Sequence, residues 1–289
     1  MISRSFGTHD GSFHADEVTA CALLLVFDLI DRSKIIRTRD PEKLAQCEYV
    51  CDVGGEYEPK KKRFDHHQVE YQGDLSSAGM IWLELLRQKI IDPATYDFVN
   101  RSMMMGIDAH DNGRAQFQEG VATFSHIIAN FVPPIYDAPP EVMSAAFFSA
   151  VDFVTGHITR ILERNRYIKN CLEKVAHAME TKEKYLFFNE SMPWQENFFE
   201  LGGVDHPALF VIMPSQGQWK LRGIPPDLEH RMQVRLPLPE EWAGLRDEKL
   251  EEVSGIKGAV FCHKGRFISV WKTKEAVLKA VEKILSDRG

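Results

Sequence analysis

Four short segments between residues 8 and 113 place histidine and carboxylate side by side at the ends of apolar runs. They are Thr8-His9-Asp10-Gly11-Ser12-Phe13-His14-Ala15-Asp16-Glu17, Cys51-Asp52-Val53-Gly54-Gly55, Phe64-Asp65-His66-His67-Gln68 and Gly106-Ile107-Asp108-Ala109-His110-Asp111-Asn112-Gly113. Mixed imidazole and carboxylate is a donor set for a pair of divalent cations, and two such ions side by side serve displacement at phosphorus. His9, His14 and Asp16 share one tight turn, where they can converge on a point; in mid-helix the same spacing would splay them. Gly54-Gly55 lets the chain turn sharply after Asp52. The imidazoles favour manganese, zinc or iron, with magnesium also open, over the all-oxygen shell of calcium.

The segments between these groups alternate in type. Strands are expected at residues 3–8, 34–38 and 49–53, and helices at 16–30 and 76–86, the latter with Ser76 or Ser77 as N-cap. That alternation predicts an α/β fold with a largely parallel sheet covered on both faces and a site beyond the carboxyl ends of its strands. A second helical block from residue 95 carries Asp108, and 141–181 reads as a long connecting helix or helix pair. After Met192-Pro193-Trp194 the pattern turns to short β-type runs at 208–213, 219–223, 259–262 and 266–271, then a closing helix at 274–286. The reading is a metal-binding domain over 1–190, long helix included, and a smaller α+β substrate-binding domain over 191–289.

Length and charge agree with this division. A chain of 289 residues is long for one core. The formal charge of −7 is uneven: residues 195–289 hold 14 basic and 14 acidic side chains, whereas 1–194 hold 21 against 28. The negative excess lies with the histidine–carboxylate groups, where cations would offset it, and no broad basic surface for duplex DNA is indicated. No unbroken apolar run reaches membrane-spanning length, the longest (20–30) carrying Asp28, and no secretory leader reads at the start, so no membrane partner is expected. Five scattered cysteines predict reduced thiols and a cytoplasmic setting.

The Asp65-His66-His67 triplet, with a His/Asp turn and the lone Asp52 upstream and Asp108 downstream, resembles the DHH phosphoesterase superfamily. More closely, the chain resembles the MYG exonuclease family (melanocyte proliferating gene). The matching stretches are the four segments above, Leu75-Ser76-Ser77-Ala78-Gly79, residues 219–225 and 236–246, Ser254-Gly255-Ile256 and Phe261-Cys262-His263. The resemblance implies that His9 and His14 bind one ion, that Asp52 bridges, and that Asp16, His66 and Asp108 complete a second. It implies that Asp65 orients a ligand imidazole and that His67 faces the phosphate or leaving oxygen. His67 or His110 would be the general acid. Arg222, Arg246, His263 and Arg266, with Arg231 and a stacking Trp219, are the candidates for substrate contact.

Several residues keep two readings. Asp111 is either a ligand or a helix cap, and Glu17 either braces the first helix or acts on substrate. Ser76 and Ser77 read most simply as caps, and Met103-Met104-Met105 as core. Lys60-Lys61-Lys62-Arg63 is either a solvated loop or a lure for phosphate. The expected function is a metal-dependent phosphodiesterase, with two ions, manganese first, removing nucleotides 3′ to 5′ from single-stranded RNA. Its rivals are a hydrolase of small phosphates (short oligonucleotides, cyclic dinucleotides or pyrophosphate) and a non-catalytic RNA- or metal-binding regulator. Oligomeric state is not readable from the sequence.

Overall fold

The structure, a computed structural model, describes residues 1–135 and 137–287. It opens with β1 (Ile2–Thr8), α1 (Ala15–Val26), β2 (Ile35–Arg37), α2 (Pro41–Gln46), β3 (Cys47–Cys51), β4 (Tyr57–Glu58), β5 (Arg63–Phe64) and α3 (Ser77–Arg87). The helices α4 (Pro93–Val99), α5 (Met105–Asp111), α6 (Phe124–Ala129) and the long α7 (Pro140–Asn170) follow. The first sheet has the order β2-β1-β3-β5-β4, parallel throughout except for β4. The parallel α/β expectation therefore holds. Its consequence is positional: β1, β3 and β5 end at one edge, and the next residues are His9, Asp52 and Asp65.

Both faces of this sheet are covered. On one, Phe6, Tyr49 and Phe64 join buried residues of α1, α3, α5 and α7 in the main core. On the other, Leu44 of α2 packs with Cys47 and Val50. Helix α1 stops at Val26, short of the expected residue 30, because Phe27 closes the helix and Asp28 adopts φ 54°. In α7 the buried positions Phe147, Ala150, Val151, Val154 and Ile158 recur every three or four residues, the stripe of a helix laid against a core.

The second unit contains α8 (Leu172–Met179), β6 (Tyr185–Phe187), α9 (Gln195–Glu200), β7 (Phe210–Ser215), β8 (Gln218–Gly223), α10 (Asp247–Ser254), β9 (Ala259–Cys262), β10 (Ile268–Trp271) and α11 (Lys274–Ser286). Its sheet has the order β6-β7-β8-β10-β9, antiparallel apart from the β6–β7 pair. It is the α+β element expected of the C-terminal region.

Two expectations differ from what is found. The compact units are Met1–Asn165 and Arg166–Gly289, so they part well before residue 190. The reason is packing: Cys171, Val175 and Met179 share a core with Leu186, Phe198 and Val211, and β6 is hydrogen-bonded to β7. The 141–181 segment is thus two helices, broken at Cys171, whose latter part belongs to the second unit. Further, the helical stretch Pro140–Met179 is long and apolar enough to cross a bilayer by length and composition. Scattered Ser, Thr and Asp152 hide this from a search for unbroken apolar runs, and 28% of the apolar stretch is buried within the protein.

Trp82 of α3 is fully buried, lies parallel to the Tyr96 ring at 6.1 Å and donates its indole N–H to the Tyr96 carbonyl at 3.2 Å. Trp82→Ala is expected to cost about 3–5 kcal/mol, read as a lowered urea midpoint at unchanged m-value.

Candidate metal centre

The common strand edge gathers the charged groups. Asp52 follows β3 with φ 58°, a left-handed conformation tolerated by Asp but uncommon outside glycine. Gly54 and Gly55 continue at φ 102° and 67°, which turns the chain away from the sheet. The Asp52 carboxylate then lies between two imidazoles: its Oδ2 is 3.2 Å from His9 Nε2 and its Oδ1 is 3.3 Å from His66 Nε2.

Both rings are held by their other nitrogen. His9 Nδ1 lies 2.9 Å from the Asp10 carbonyl oxygen, which can only accept, so this nitrogen carries the proton. His66 Nδ1 donates to Asn112 Oδ1 at 3.3 Å, while the Asn112 amide group donates to the Asp74 and Asp108 carbonyls. Each Nε2 is therefore directed at carboxylates. His9 Nε2 also meets Glu17 Oε1 at 3.2 Å, and His66 Nε2 meets Asp111 Oδ2 at 2.9 Å and Asp16 Oδ2 at 3.9 Å. A neutral imidazole in this tautomer aims a lone pair at anions, so the arrangement needs either a proton or a cation between them.

The ionisation of the buried groups follows. Burial opposes the imidazolium of His9, but hydrogen bonds to Asp52 and Glu17 outweigh it and raise the ring to about 10. Burial likewise opposes His66, while Asp111 and Asp52 raise it to about 10. Burial would lift Asp52, yet its bonds from His66 and His9 hold it down at about 2. Asp16 is pushed well above the carboxylate range, first by burial and then by the charges of Asp52, Glu17 and Asp111. Asp16 Oδ1 is buried with no hydrogen-bond partner, and Asp52 Oδ1 and His66 Nε2, buried and 3.3 Å apart, do not meet at good hydrogen-bond geometry. These are donors suited to a cation and left unsatisfied by the protein alone.

Three groups of donor atoms are close enough to hold an ion among the described residues: His9, His14, Glu17 and Asp52; Asp52, His66 and His67; and His14, Asp16 and Asp111. Asp52 is common to the first two and His14 to the first and third. Asp108, expected as a ligand, joins none of them. Its Oδ1 accepts from Ser76 N at 3.0 Å, Ser76 Oγ at 2.7 Å and Gly79 N at 3.2 Å, so it closes the first turn of α3. Asp111, three residues on, presents its carboxylate to His66 instead. Glu17 does both things left open for it: its carboxylate accepts from His14 N at 2.8 Å, a capping box, and stands beside His9. Ser77, rather than only capping, donates Oγ to Asp16 Oδ2 at 2.6 Å. The single signal that could have separated Asp111 from Asp108 was helix phase, and the sequence does not show where α5 begins.

Asp65 does orient an imidazole, but that of His67: its Oδ1 lies 2.8 Å from His67 Nδ1, while its Oδ2 accepts from Gly55 N at 2.6 Å. The His67 side chain is 62% exposed, which leaves its Nε2 open to the cleft. That cleft, about 510 Å³, is lined by His9, His14, Asp52, Asp65 and His67 together with Asp10–Ser12, Arg39 and Val53-Gly54. His110 is elsewhere, its ring set edge-on to His126 at 5.0 Å. Within the basic run Lys61 pairs with Glu56 at 2.7 Å and Lys62 with Glu48, and Arg63 donates to the carbonyls of Cys47 and Glu48.

Residues 5–285 match the sequence model MYG1_exonuc, described as an uncharacterised protein family (UPF0160). The MYG1 protein of Chlamydia pneumoniae is 53% identical over 290 residues, covering 100% of this chain and 99% of that protein. The human MYG1 exonuclease is 35% identical over 330 residues, covering 100% and 87%. The chain belongs to the MYG1 exonuclease family. Among solved structures, RecJ of Thermus thermophilus in complex with Mn²⁺ aligns at 13% identity and a TM-score of 0.29, covering 99% of this chain and 52% of that one. So distant a likeness carries no weight beside the family match.

The remaining residues expected to touch substrate lie in the second unit, as in the family stretches that suggested them. Arg222 is on β8, paired with Val211 and Ile268, and half-buried. Arg246 places its guanidinium 4.9 Å from the Phe261 ring centre. His263 and Arg266 occupy the β9–β10 turn, with Arg266 N donating to the His263 carbonyl at 2.8 Å and Arg266 at φ 55°. Trp219 lies against Phe187 at 5.6 Å and 18°, with Lys274 above both rings. Arg231 pairs with Glu196 at 3.2 Å.

Two outcomes follow for this family member. Asp108→Ala is expected to destabilise by about 1–3 kcal/mol, leaving three donors in α3's first turn unpartnered, and Asp111→Ala by less; paired urea titrations compare them. In metal-free protein, His9 and His66 have folded values near 10 against about 6.5 unfolded. Their contribution is present in full below about pH 6.5 and is lost as pH rises toward 10. The midpoint temperature should fall across that window by calorimetry, and fall less steeply in Asp52→Ala.

Proposed function

We propose that the chain is a divalent-metal-dependent phosphodiesterase that trims nucleotides from the 3′ end of single-stranded RNA in the cytosol. The observation that carries the reading is Asp52, with one carboxylate oxygen toward His9 and the other toward His66. A bridging carboxylate is what holds two ions about 3.5–4 Å apart. His9, His14 and Glu17 fit one side of it, and His66, Asp16 and Asp111 the other, so Asp111 takes the place expected of Asp108. The names of the curated relatives as exonucleases support the reaction class, and five buried, unpaired cysteines support a reducing compartment.

Bound there, a pair of ions, manganese first, would lower the pKa of a coordinated water and neutralise phosphodiester oxygens. The protein's own part begins with Asp65, which fixes the Nδ1–H of His67 and turns Nε2 toward the cleft. His67 Nε2 then delivers a proton to the leaving ribose oxygen. Asn112 keeps the His66 ring in the tautomer that presents Nε2. Within the second unit, Arg222, Arg246, His263 and Arg266 are the side chains suited to phosphate contacts.

Oligoribonucleotides labelled at the 5′ end and incubated with Mn²⁺ should shorten one nucleotide at a time with release of mononucleotides. Asp52→Ala should lower kcat/KM by at least ~10²-fold. Equal rates for wild type and Asp52→Ala with every divalent metal would contradict the reading. Preference for dinucleotides or pyrophosphate over longer RNA would move it to small phosphates.

A further inference from the structure

The turn that carries His9 and His14 is held from outside the metal centre. Arg37, the last residue of β2, pairs in register with Thr8 and reaches over the turn. Its Nη2 donates to the Gly11 carbonyl at 2.5 Å. Its guanidinium lies 4.8 Å from the ring centre of Phe147 and 5.6 Å from that of Phe13, and these rings meet edge-on at 5.7 Å. Both phenylalanines are almost fully buried, while Arg37 Nε is buried without a partner. A guanidinium under this much apolar cover is expensive unless its charge and plane are used.

The use is geometric. Between His9 and His14 the backbone has four residues, one of them a left-handed glycine, Gly11 at φ 79°. Space is not what demands glycine, since a Cβ there would meet nothing within 4 Å. The left-handed turn has a carbonyl to satisfy, and Arg37 satisfies it while Phe13, two residues on, is pinned beneath the same guanidinium. With Phe13 pinned and His14 N bound to Glu17, the His9 and His14 rings stand 6.0 Å apart, centre to centre. No other described hydrogen bond from a side chain reaches the Gly11 carbonyl.

From this we infer that Arg37 is a positioning residue that sets the affinity of the His9/His14 half of the centre for its divalent ion, without touching ion or substrate. The inference rests on the two-ion reading above. Lysine would keep the charge but lose the guanidinium's contact with the Phe13 and Phe147 rings and the fixed fork of donors.

Manganese titration by calorimetry tests it, on wild type, Arg37→Gln, Arg37→Lys, His9→Ala and Asp111→Asn, with circular dichroism confirming folding. The binding step abolished in His9→Ala should weaken in Arg37→Gln by about 10–100-fold, the range for residues that orient metal ligands. The step impaired in Asp111→Asn, which shares only His14 with the His9/His14 turn, should weaken several-fold less. Arg37→Lys should fall between, and it supplies the same readout if Arg37→Gln fails to fold. Wild-type Mn²⁺ affinity at both steps in a folded Arg37 variant would overturn the inference, as would equal weakening of both steps. Failure of wild type itself to take up Mn²⁺ would instead remove the two-ion reading on which the inference stands.

Discussion

The arrangement depends on one carboxylate. Asp52 is buried, sits in a left-handed backbone conformation, and divides its two oxygens between imidazoles that reach it from different parts of the chain. Around it stand Glu17 and Asp111, which with Asp52 carry more negative charge than His9 and His66 balance even when both are protonated, and Asp16, whose carboxyl the same crowding and burial push well above the carboxylate range. A protein interior does not keep such a surplus without a cation. Protons occupy the site in the metal-free chain, which is why both rings hold theirs to about pH 10. Divalent ions must displace them, so metal affinity and pH are linked.

The parallel sheet makes this convergence possible. Because β1, β3 and β5 run the same way, residues far apart in sequence leave the sheet at one edge. Helix α3 is then locked to that edge by two buried carboxylates of different elements, Asp16 through Ser77 and Asp108 through Ser76 and Gly79. A Cβ at Gly79 would lie 2.3 Å from Asp108 Oδ2, so the close approach of α3 to α5 requires glycine there. Support and site are thus continuous: Asp108 braces the helix whose neighbouring serine tethers a candidate ligand.

Much of this was legible in the residues. Alternating strand and helix patterns gave the parallel sheet, and the position of each charged group after an apolar run gave the shared edge. His9, His14, Asp16, Asp52 and His66 were named from the sequence, and the structure brings all five together. What was not legible depends on three-dimensional phase. Asp108 and Asp111 lie about one turn apart on α5, and either could have faced the centre until the packing of α3 claimed Asp108. Glu17 was ambiguous because a capping carboxylate and a ligand have the same local sequence. The unit boundary was hidden because β6 is three residues long and joins its sheet only through a partner more than twenty residues away. Arg37 gave no signal at all: a lone arginine at a strand end reads as surface until the rings on either side of it are known.

The most direct test is an anomalous-difference map from crystals soaked in Mn²⁺. Two peaks flanking the Asp52 carboxylate are predicted, one within reach of His9 and His14 and the other of His66, Asp16 and Asp111. A single peak with Asp52 bound on one side only, or peaks at Asp108 and none beside Asp111, would contradict the account.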